Sequence, residues 1–161
     1  MKKQIHTLNY ISLLTSSLTI LSLMLPILHV DDISFLGYEI IFGKELANIN
    51  PFNLGTFATV WLPFSWVALG AFLIPIISVL LVSYDNRHIP ISFLLSLISI
   101  YLMLSLIQNT KIMYSIGAQE NSLIVDWQMS YGLVIAIANT LINLGYYFYM
   151  FTISYKYNNK S

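Results

Sequence analysis

The residues of this chain that could carry acid–base or nucleophilic chemistry lie outside its long apolar stretches. The three histidines are His6, His29 and His88, and the apolar stretches contain no Asp, Glu, Lys or Arg. Catalysis or proton transport within such a stretch needs an ionisable group or an activated nucleophile at a defined depth. The absence of cysteine also excludes thiolate catalysis, disulfides and cysteine-type zinc sites. We therefore predict that the protein is not an enzyme and uses no cofactor.

One group of polar residues has the types that could bind a divalent cation. His29, Asp31 and Asp32 follow the first apolar stretch, and an imidazole with two carboxylates could supply metal ligands. Four more acidic residues lie between the apolar stretches: Glu39, Glu45, Glu120 and Asp126. Because these residues have no recognised ligand spacing, we interpret them as solvated residues near helix ends and predict no metal site.

The elements that position these residues follow from the composition, which is typical of a membrane protein. Of the 161 residues, 57% are hydrophobic and only 9% are charged, and the mean hydropathy is +0.74. A soluble domain has about a quarter of its residues charged. This composition excludes a soluble enzyme, a nucleic-acid-binding protein with a basic face, and a disordered chain. Most of the surface is therefore expected to contact the lipid bilayer.

Four apolar stretches are long enough to cross a bilayer, which requires about 20 residues per helix. They cover residues 10–28, 57–82, 89–107 and 131–153. Four spans and two short tails leave little room for any other domain, so we expect a single membrane domain. The predicted fold class is therefore an all-α membrane protein, with one four-helix transmembrane bundle formed by residues 1–161.

The first stretch could also be a cleaved signal peptide, because Lys2 and Lys3 precede it. It is long for the apolar region of a signal peptide, and the segment 25–30 has no small-x-small cleavage site. We therefore expect an uncleaved first helix.

The distribution of charge predicts the orientation of the four spans. With the N-terminus inside, the cytoplasmic segments contain one acid, Asp85, and five basic residues: Lys2, Lys3, Arg87, Lys156 and Lys160. The outer side then contains only Lys44 and Lys111 as basic residues. This asymmetry follows the positive-inside rule. We therefore expect a multi-pass protein of the cell membrane with both termini in the cytoplasm.

The two outer connections, residues 30–56 and 108–130, have the composition of short strands. Residues 33–43 combine β-branched and aromatic side chains around a glycine, and residues 111–127 do so on either side of a turn-like segment at 117–121. Two hairpins that form one sheet are more stable than either alone. We predict a small β cap on the outer side, and irregular loops are the alternative.

This layout, and two short segments of the chain, carry a resemblance. Four spans, internal termini, and a long first outer loop with strand character resemble the claudin-like tetraspan arrangement. The segments Gly-Tyr-Glu-Ile-Ile-Phe-Gly at 37–43 and Ser-Tyr-Gly-Leu-Val at 130–134 are similar to segments of small four-span proteins of Gram-positive bacteria. Claudins have a Trp and a Cys pair in the first loop, which this chain lacks. The resemblance therefore implies a bacterial-type tetraspan topology and not a tight-junction role.

Each predicted span has one face of small or hydroxylated residues. In the first span these residues are Ser12, Thr15, Ser16, Thr19 and Ser22, and in the second they are Ala68, Ala71, Pro75 and Ser78. In the third span they are Ser92, Ser96 and Ser99, and in the fourth they are Gly132, Ala136, Asn139 and Asn143. Small residues allow close helix packing, and hydroxyl and amide groups form hydrogen bonds between membrane helices. We predict that these faces hold the bundle together. The alternative is a polar solute path lined by Asn139, Asn143 and the facing hydroxyls.

The outer connections are the predicted recognition surface. Their two lysines and six acidic residues make a net charge of −4. We expect a cationic or amphipathic partner, because complementary charge speeds encounter and apolar contacts slow release. The residues predicted to bind it are Asp31, Asp32, Tyr38, Glu39, Ile41, Glu45 and Trp127.

Three functional hypotheses are compatible with these features. The leading one is a non-enzymatic accessory or partner-binding subunit of a membrane complex. The second is an immunity protein that protects against a membrane-active peptide or toxin. The third is a subunit of a small-solute channel or transporter. A homo-oligomer is compatible with each of them, and nucleic acid is excluded as a partner.

Overall fold

Five α-helices make up most of the part of the chain that the computed structural model describes, which is residues 2–49, 58–117 and 119–158. They are α1 (Lys2–Leu21), α2 (Gly37–Phe42), α3 (Trp66–Tyr84), α4 (Ile89–Asn109) and α5 (Tyr131–Asn158). The 3₁₀ turns Ser22–Met24 and Asn86–His88 follow α1 and precede α4. Side chains are described from residue 10 to residue 153 within these ranges, except that of Asn86.

Three helical segments among the described residues are long and apolar enough to cross a membrane. They are Trp66–Tyr84, Ile89–Asn109 and Tyr131–Ile153. A shorter apolar helical segment covers Tyr10–Met24. The predicted spans 89–107 and 131–153 therefore coincide with α4 and with most of α5.

The four long helices pack in a ring in which each contacts two neighbours. The helix α1 lies against α3 and α5, and α4 lies against the same two helices on the other side. The tight connection at 85–88 makes α3 and α4 antiparallel neighbours. It is followed by Pro90 in the first turn of α4, where a missing N–H costs no helical hydrogen bond.

Seven strands form two antiparallel sheets in the described residues. They are β1 (Pro26–Val30), β2 (Ile33–Leu36), β3 (Lys44–Ile49), β4 (Ala58–Leu62), β5 (Ile112–Ile116), β6 (Gln119–Leu123) and β7 (Gln128–Met129). The strand orders are β2-β1-β7 and β3-β4-β5-β6. Each sheet joins the connection between α1 and α3 to the connection between α4 and α5. All seven strands therefore lie at one end of the bundle, and we call this end the cap.

Strands form in both connections, as predicted, but residues 37–42 of the predicted strand segment 33–43 form the helix α2. The strands also belong to two sheets, not to one, and the β structure extends beyond the two connections. Residues 26–28 belong to β1, not to a helix that continues to Leu28, and residues 58–62 form β4, not the start of the second span. Phe57 lies outside the described residues. These two span boundaries were wrong because apolar composition does not distinguish a buried strand from a helix.

Local sequence explains why β1 begins after α1 and why α3 begins only after β4. Pro26 stands at the first position of β1, where a strand tolerates proline. The strand β4 contains Thr59, Val60 and Trp61, which favour extended backbone. The helix α3 begins after Ser65, whose Oγ accepts a hydrogen bond from the Ala68 N–H at 3.2 Å.

The buried apolar residues form two clusters at opposite ends of the bundle. The larger cluster lies under the cap and includes Ile27, Phe35 and Trp127. The smaller cluster, at the other end, is formed by Val82, Ile89, Tyr146, Tyr147 and Met150. Between them the helices bury mainly hydroxyl and amide side chains.

Candidate functional site

The interior of the bundle between the two apolar clusters is the first candidate site. Every side chain of α1 that is buried between residues 10 and 21 is a serine or threonine, whereas its exposed side chains include Leu13, Leu14 and Leu18. This distribution is the reverse of that in a water-soluble helix. It suits a helix that has lipid on its outer face.

A hydrogen-bonded chain around Asn143 connects three of the helices. The Thr15 hydroxyl can donate its one proton to Asn143 Oδ1 or to the carbonyls of Ile11 and Ser12. The Asn143 contact is the shortest of the three, at 2.5 Å. Asn143 Nδ2 donates to Ser16 Oγ at 2.9 Å, and Ser16 Oγ donates to the Pro75 carbonyl at 3.3 Å. One turn further along, Ser12 Oγ lies 2.9 Å from the Tyr147 hydroxyl. These contacts link α5 to α1 and α1 to α3.

The contact between α3 and α4 compensates for a proline inside α3. Pro75 has no N–H, so the carbonyl of Ala71 lacks its usual helical donor. Ser99 Oγ of α4 donates to that carbonyl at 2.7 Å. Ser92 Oγ similarly donates to the Ser78 carbonyl at 2.9 Å. A carbonyl inside an apolar bundle therefore keeps a hydrogen-bond partner despite the proline.

The six polar residues predicted to line either a packing interface or a path have three kinds of environment. Ser16, Ser99 and Asn143 form hydrogen bonds between helices. Thr19 and Ser96 donate to carbonyls of their own helices. Asn139 is 8% exposed, and its Nδ2 has no partner among the described residues. Three of these six residues thus form the hydrogen bonds between helices that the packing interpretation predicts.

In the cap, Glu39 has a structural environment. It is buried, its Oε1 accepts from Lys44 Nζ at 2.6 Å, and its Oε2 accepts from the Leu36 N–H at 3.0 Å before α2. The hydrogen bond to the Glu39 carboxylate raises the pKa of the Lys44 ammonium above its ordinary value. Glu39 is therefore occupied by the cap itself and is not a free acidic contact.

The expectation that Ile41 and Trp127 are exposed was wrong. Ile41 is 2% exposed and Trp127 is 3% exposed. The indole Nε1 of Trp127 donates to the Thr110 carbonyl at the end of α4, at 2.8 Å. The rings of Trp127 and Phe35 make an edge-to-face contact, with their centres 5.2 Å apart. Trp127 thereby supplies a donor to a helix end and fills the cap core. The sequence could not reveal these contacts, because both Thr110 and Phe35 lie far from Trp127 along the chain.

The remaining predicted contact residues are at the cap surface, but they are not gathered into one cluster. Asp31 and Asp32 form the turn between β1 and β2 and are exposed, and Tyr38 is 42% exposed. Glu45 lies on β3, an edge strand of the four-stranded sheet, whereas the turn with Asp31 and Asp32 belongs to the three-stranded sheet.

The polar residues considered as metal ligands do not come together. Within the described ranges, no group of three or more His, Cys, Asp and Glu side chains could hold a metal ion. His29 Nε2 instead lies 3.1 Å from Gln128 Oε1, across the pairing of β1 with β7.

A cleft at the junction of the cap and the helices was not predicted from the sequence. It has a volume of about 140 Å³ and lies between α2, the segment before α3, and the end of α4. Its lining includes Ile40, Phe64, Thr110 and Lys111. Because these residues come from separate parts of the chain, no local pattern indicates the cleft.

Comparison with protein-family models, with characterised proteins and with solved structures finds no match for this chain. The claudin-like resemblance therefore stays a hypothesis about layout.

Proposed function

We propose that this chain is a non-enzymatic four-span membrane protein that binds a partner through its cap on the outer side of the membrane. Three spans are the helices that are long and apolar enough to cross. The fourth span in this proposal is the shorter apolar helical segment Tyr10–Met24, which belongs mostly to α1, the helix that packs against α3 and α5. Its apolar exposed face and its hydroxyl-lined buried face support this assignment.

The orientation rests on the positions of the basic residues. The connection between α3 and α4 contains Arg87, and the cap is at the opposite end of the bundle. The positive-inside rule favours a cytoplasmic location for this connection and for the lysine-containing termini. The cap then faces outward.

The observation that carries the proposal is that the outer connections fold into sheets, share an apolar core with the helix ends, and expose acidic residues. Lys44 and Glu39 neutralise each other as an ion pair. The other charged residues of the outer connections are one lysine, Lys111, and five acidic residues, so their net charge is −4. These five are Asp31, Asp32, Glu45, Glu120 and Asp126, and all are exposed. A folded scaffold that holds such a surface in place is suited to binding a cationic partner.

The turn between β1 and β2 is the best candidate for direct contact. Asp31 and Asp32 are followed at once by Ile33, whose side chain is 61% exposed. Tyr38 of α2 adds a second exposed side chain with both apolar and polar parts. Ile33 and Tyr38 thus replace the buried Ile41 and Trp127 as the proposed apolar contacts of the partner, which is a cationic peptide or a neighbouring membrane subunit.

Site-specific photo-crosslinking tests this proposal in native membranes. A crosslinker at Ile33 is expected to give one discrete adduct, whereas a crosslinker at Leu94, a 58% exposed position on α4, is expected not to give it. Asp31→Asn together with Asp32→Asn should lower the rate of adduct formation about tenfold at low salt and much less at high salt. The matched control, Glu120→Gln with Asp126→Asn, removes the same charge elsewhere and should have a smaller effect.

Two results would contradict the proposal. The absence of a discrete adduct from both Ile33 and Tyr38 would argue against recognition by the cap. Equal effects of the two double variants would show that only net charge matters and that the β1–β2 turn is not the contact.

The acidic cap also favours the second hypothesis, protection against a cationic membrane-active peptide. In that case, cells that express the protein should survive such a peptide better than cells without it, and the Asp31→Asn, Asp32→Asn variant should lose this advantage. An accessory subunit would instead show the same adduct without any added peptide.

A further inference from the structure

The cleft between the cap and the helices combines a cation, hydroxyl groups and one exposed aromatic ring. Its polar lining includes Lys111, Thr110 and Ser65, and its apolar lining includes Ile40 and Phe64. None of these residues belongs to the proposed partner-binding turn at the tip of β1 and β2. The cleft is therefore a different site from the turn that is proposed to bind the protein partner.

The depth of the cleft follows from the helices that end at it. The helix α4 has 21 residues, or about 31 Å, and its last residue, Asn109, lines the cleft. The helix α3 begins at Trp66, directly after the lining residue Ser65. Since both helices are long and apolar enough to cross a membrane, these ends lie at the boundary between hydrocarbon and water.

Three exposed aromatic rings stand beside the cleft. Phe64, which lines it, lies 4.7 Å from Trp66 and 6.4 Å from Phe42 between ring centres. The exposed fractions are 68% for Phe42, 41% for Phe64 and 77% for Trp66. Aromatic side chains are enriched at the level of lipid headgroups. These rings therefore place headgroups and upper acyl chains next to the opening of the cleft.

Lys111 supplies a positive charge that the protein does not neutralise by an ion pair. No carboxylate of the described residues lies within salt-bridge distance of Lys111, whereas Lys44, the other lysine of the cap, is paired with Glu39. The Thr110 hydroxyl oxygen, next to it in the chain, is buried and has no hydrogen-bond partner in the same part of the structure. An ammonium and a free hydroxyl at headgroup depth are groups that bind a phosphate.

We propose that this cleft binds the headgroup of one anionic phospholipid, with its phosphate at Lys111 and Thr110 and its acyl chains beside Phe64 and Trp66. The rest of the cap surface is acidic and repels anionic lipid, so that binding is confined to the cleft. This proposal needs the membrane-crossing helices but does not depend on a partner of the cap.

Lipid retention by the purified full-length chain tests the site. The protein is titrated in detergent with phosphatidylglycerol or phosphatidylcholine, and bound lipid is counted by native mass spectrometry. The wild type should retain one phosphatidylglycerol in preference to phosphatidylcholine. Lys111→Gln should weaken this binding about fivefold, the effect expected for one basic residue on attraction to anionic lipid.

Two variants separate a specific site from a general effect of charge. Lys111→Arg keeps the cation and should bind as the wild type does. Arg87→Gln removes the same charge from the exposed turn at the other end of the bundle and should leave binding unchanged. A third variant, Thr110→Val, removes the hydroxyl and should weaken binding by about twofold to fivefold.

The proposal would be overturned by equal retention of the two lipids, or by equal losses in Lys111→Gln and Arg87→Gln. Displacement of the lipid by millimolar inorganic phosphate would show that the cleft binds free phosphate and not a lipid headgroup. Failure of the cap crosslinking experiment would leave these outcomes unaffected, because the titration contains no protein partner.

Discussion

At the residue scale, the two asparagines of α5 differ although they occupy the same face of the helix. Asn143 uses both its amide oxygen and its amide nitrogen, with Thr15 and Ser16 as partners on α1. Asn139 is almost as deeply buried, yet its amide nitrogen has no partner among the described residues. A buried donor without a partner contributes a desolvation cost and no compensating bond.

These environments predict opposite effects of replacing the two residues by leucine. Asn143→Leu should destabilise the protein by about 1–2 kcal/mol, because it removes two contacts between α1 and α5. Asn139→Leu should be neutral or stabilising. The free energy of unfolding in detergent, measured by denaturant titration, compares the two variants with the wild type.

The same variants distinguish packing from a solute path. If Asn139 and Asn143 line a path, conductance or uptake in liposomes should fall in both variants while stability holds. That pattern would contradict the packing interpretation of the polar faces.

At the element scale, the helix α3 contains a proline whose effect is compensated by a neighbouring helix. Pro75 leaves the Ala71 carbonyl without its helical donor, and Ser99 of α4 supplies a replacement. The hydroxyl of Ser96, one turn earlier on α4, donates only to the Ser92 carbonyl of its own helix. The contribution of Ser99 should therefore depend on the proline.

A double-mutant cycle tests this dependence. Ser99→Ala should cost about 0.6–1.7 kcal/mol of stability, the range for hydrogen bonds between membrane helices, whereas Ser96→Ala should cost less. In a Pro75→Ala background, the substituted residue regains a backbone N–H that can bond the Ala71 carbonyl, so Ser99→Ala should cost little there. Equal costs in the two backgrounds would show that Ser99 does not act through that carbonyl.

A second element-scale prediction concerns the approach of α5 to β1. A Cβ atom added at Gly132 would lie 2.5 Å from the Pro26 carbonyl oxygen, whereas one added at Gly145 would meet no atom within 4 Å. Gly132→Ala should therefore destabilise the protein by about 1–3 kcal/mol, because backbone must move. Gly145→Ala on the same helix should be neutral or slightly stabilising. A thermal melt that shows equal effects would contradict the close approach.

At the scale of the whole molecule, the proposed orientation places the cap outside the cell and the connection between α3 and α4 inside. Single cysteines in this cysteine-free chain should react with an impermeant reagent on intact cells at Glu45 and Glu120. Cysteines at Asn86 and Asn159 should react only after the membrane is opened. Reaction at Asn86 in intact cells would reverse the orientation and remove the basis for a partner on the outer surface.

The sequence by itself determined the apolar character that suits a membrane, the positions of α4 and α5, and the polar faces of the helices. These properties depend on the length of apolar runs and on helical spacing, which are local. The strand character of residues 33–36 and 112–116 was also predictable, because β-branched and aromatic side chains favour extended backbone.

Only the tertiary structure decided where the helices end and which cap residues are exposed. Residues 26–30 and 58–62 are apolar enough for a helix, but they form strands because β1 pairs with β7 and β4 pairs with β5, which lie far along the chain. The same long-range packing buries Ile41 and Trp127 and pairs Glu39 with Lys44. Burial and pairing of this kind depend on which distant segments meet, and residue type and spacing do not contain that information.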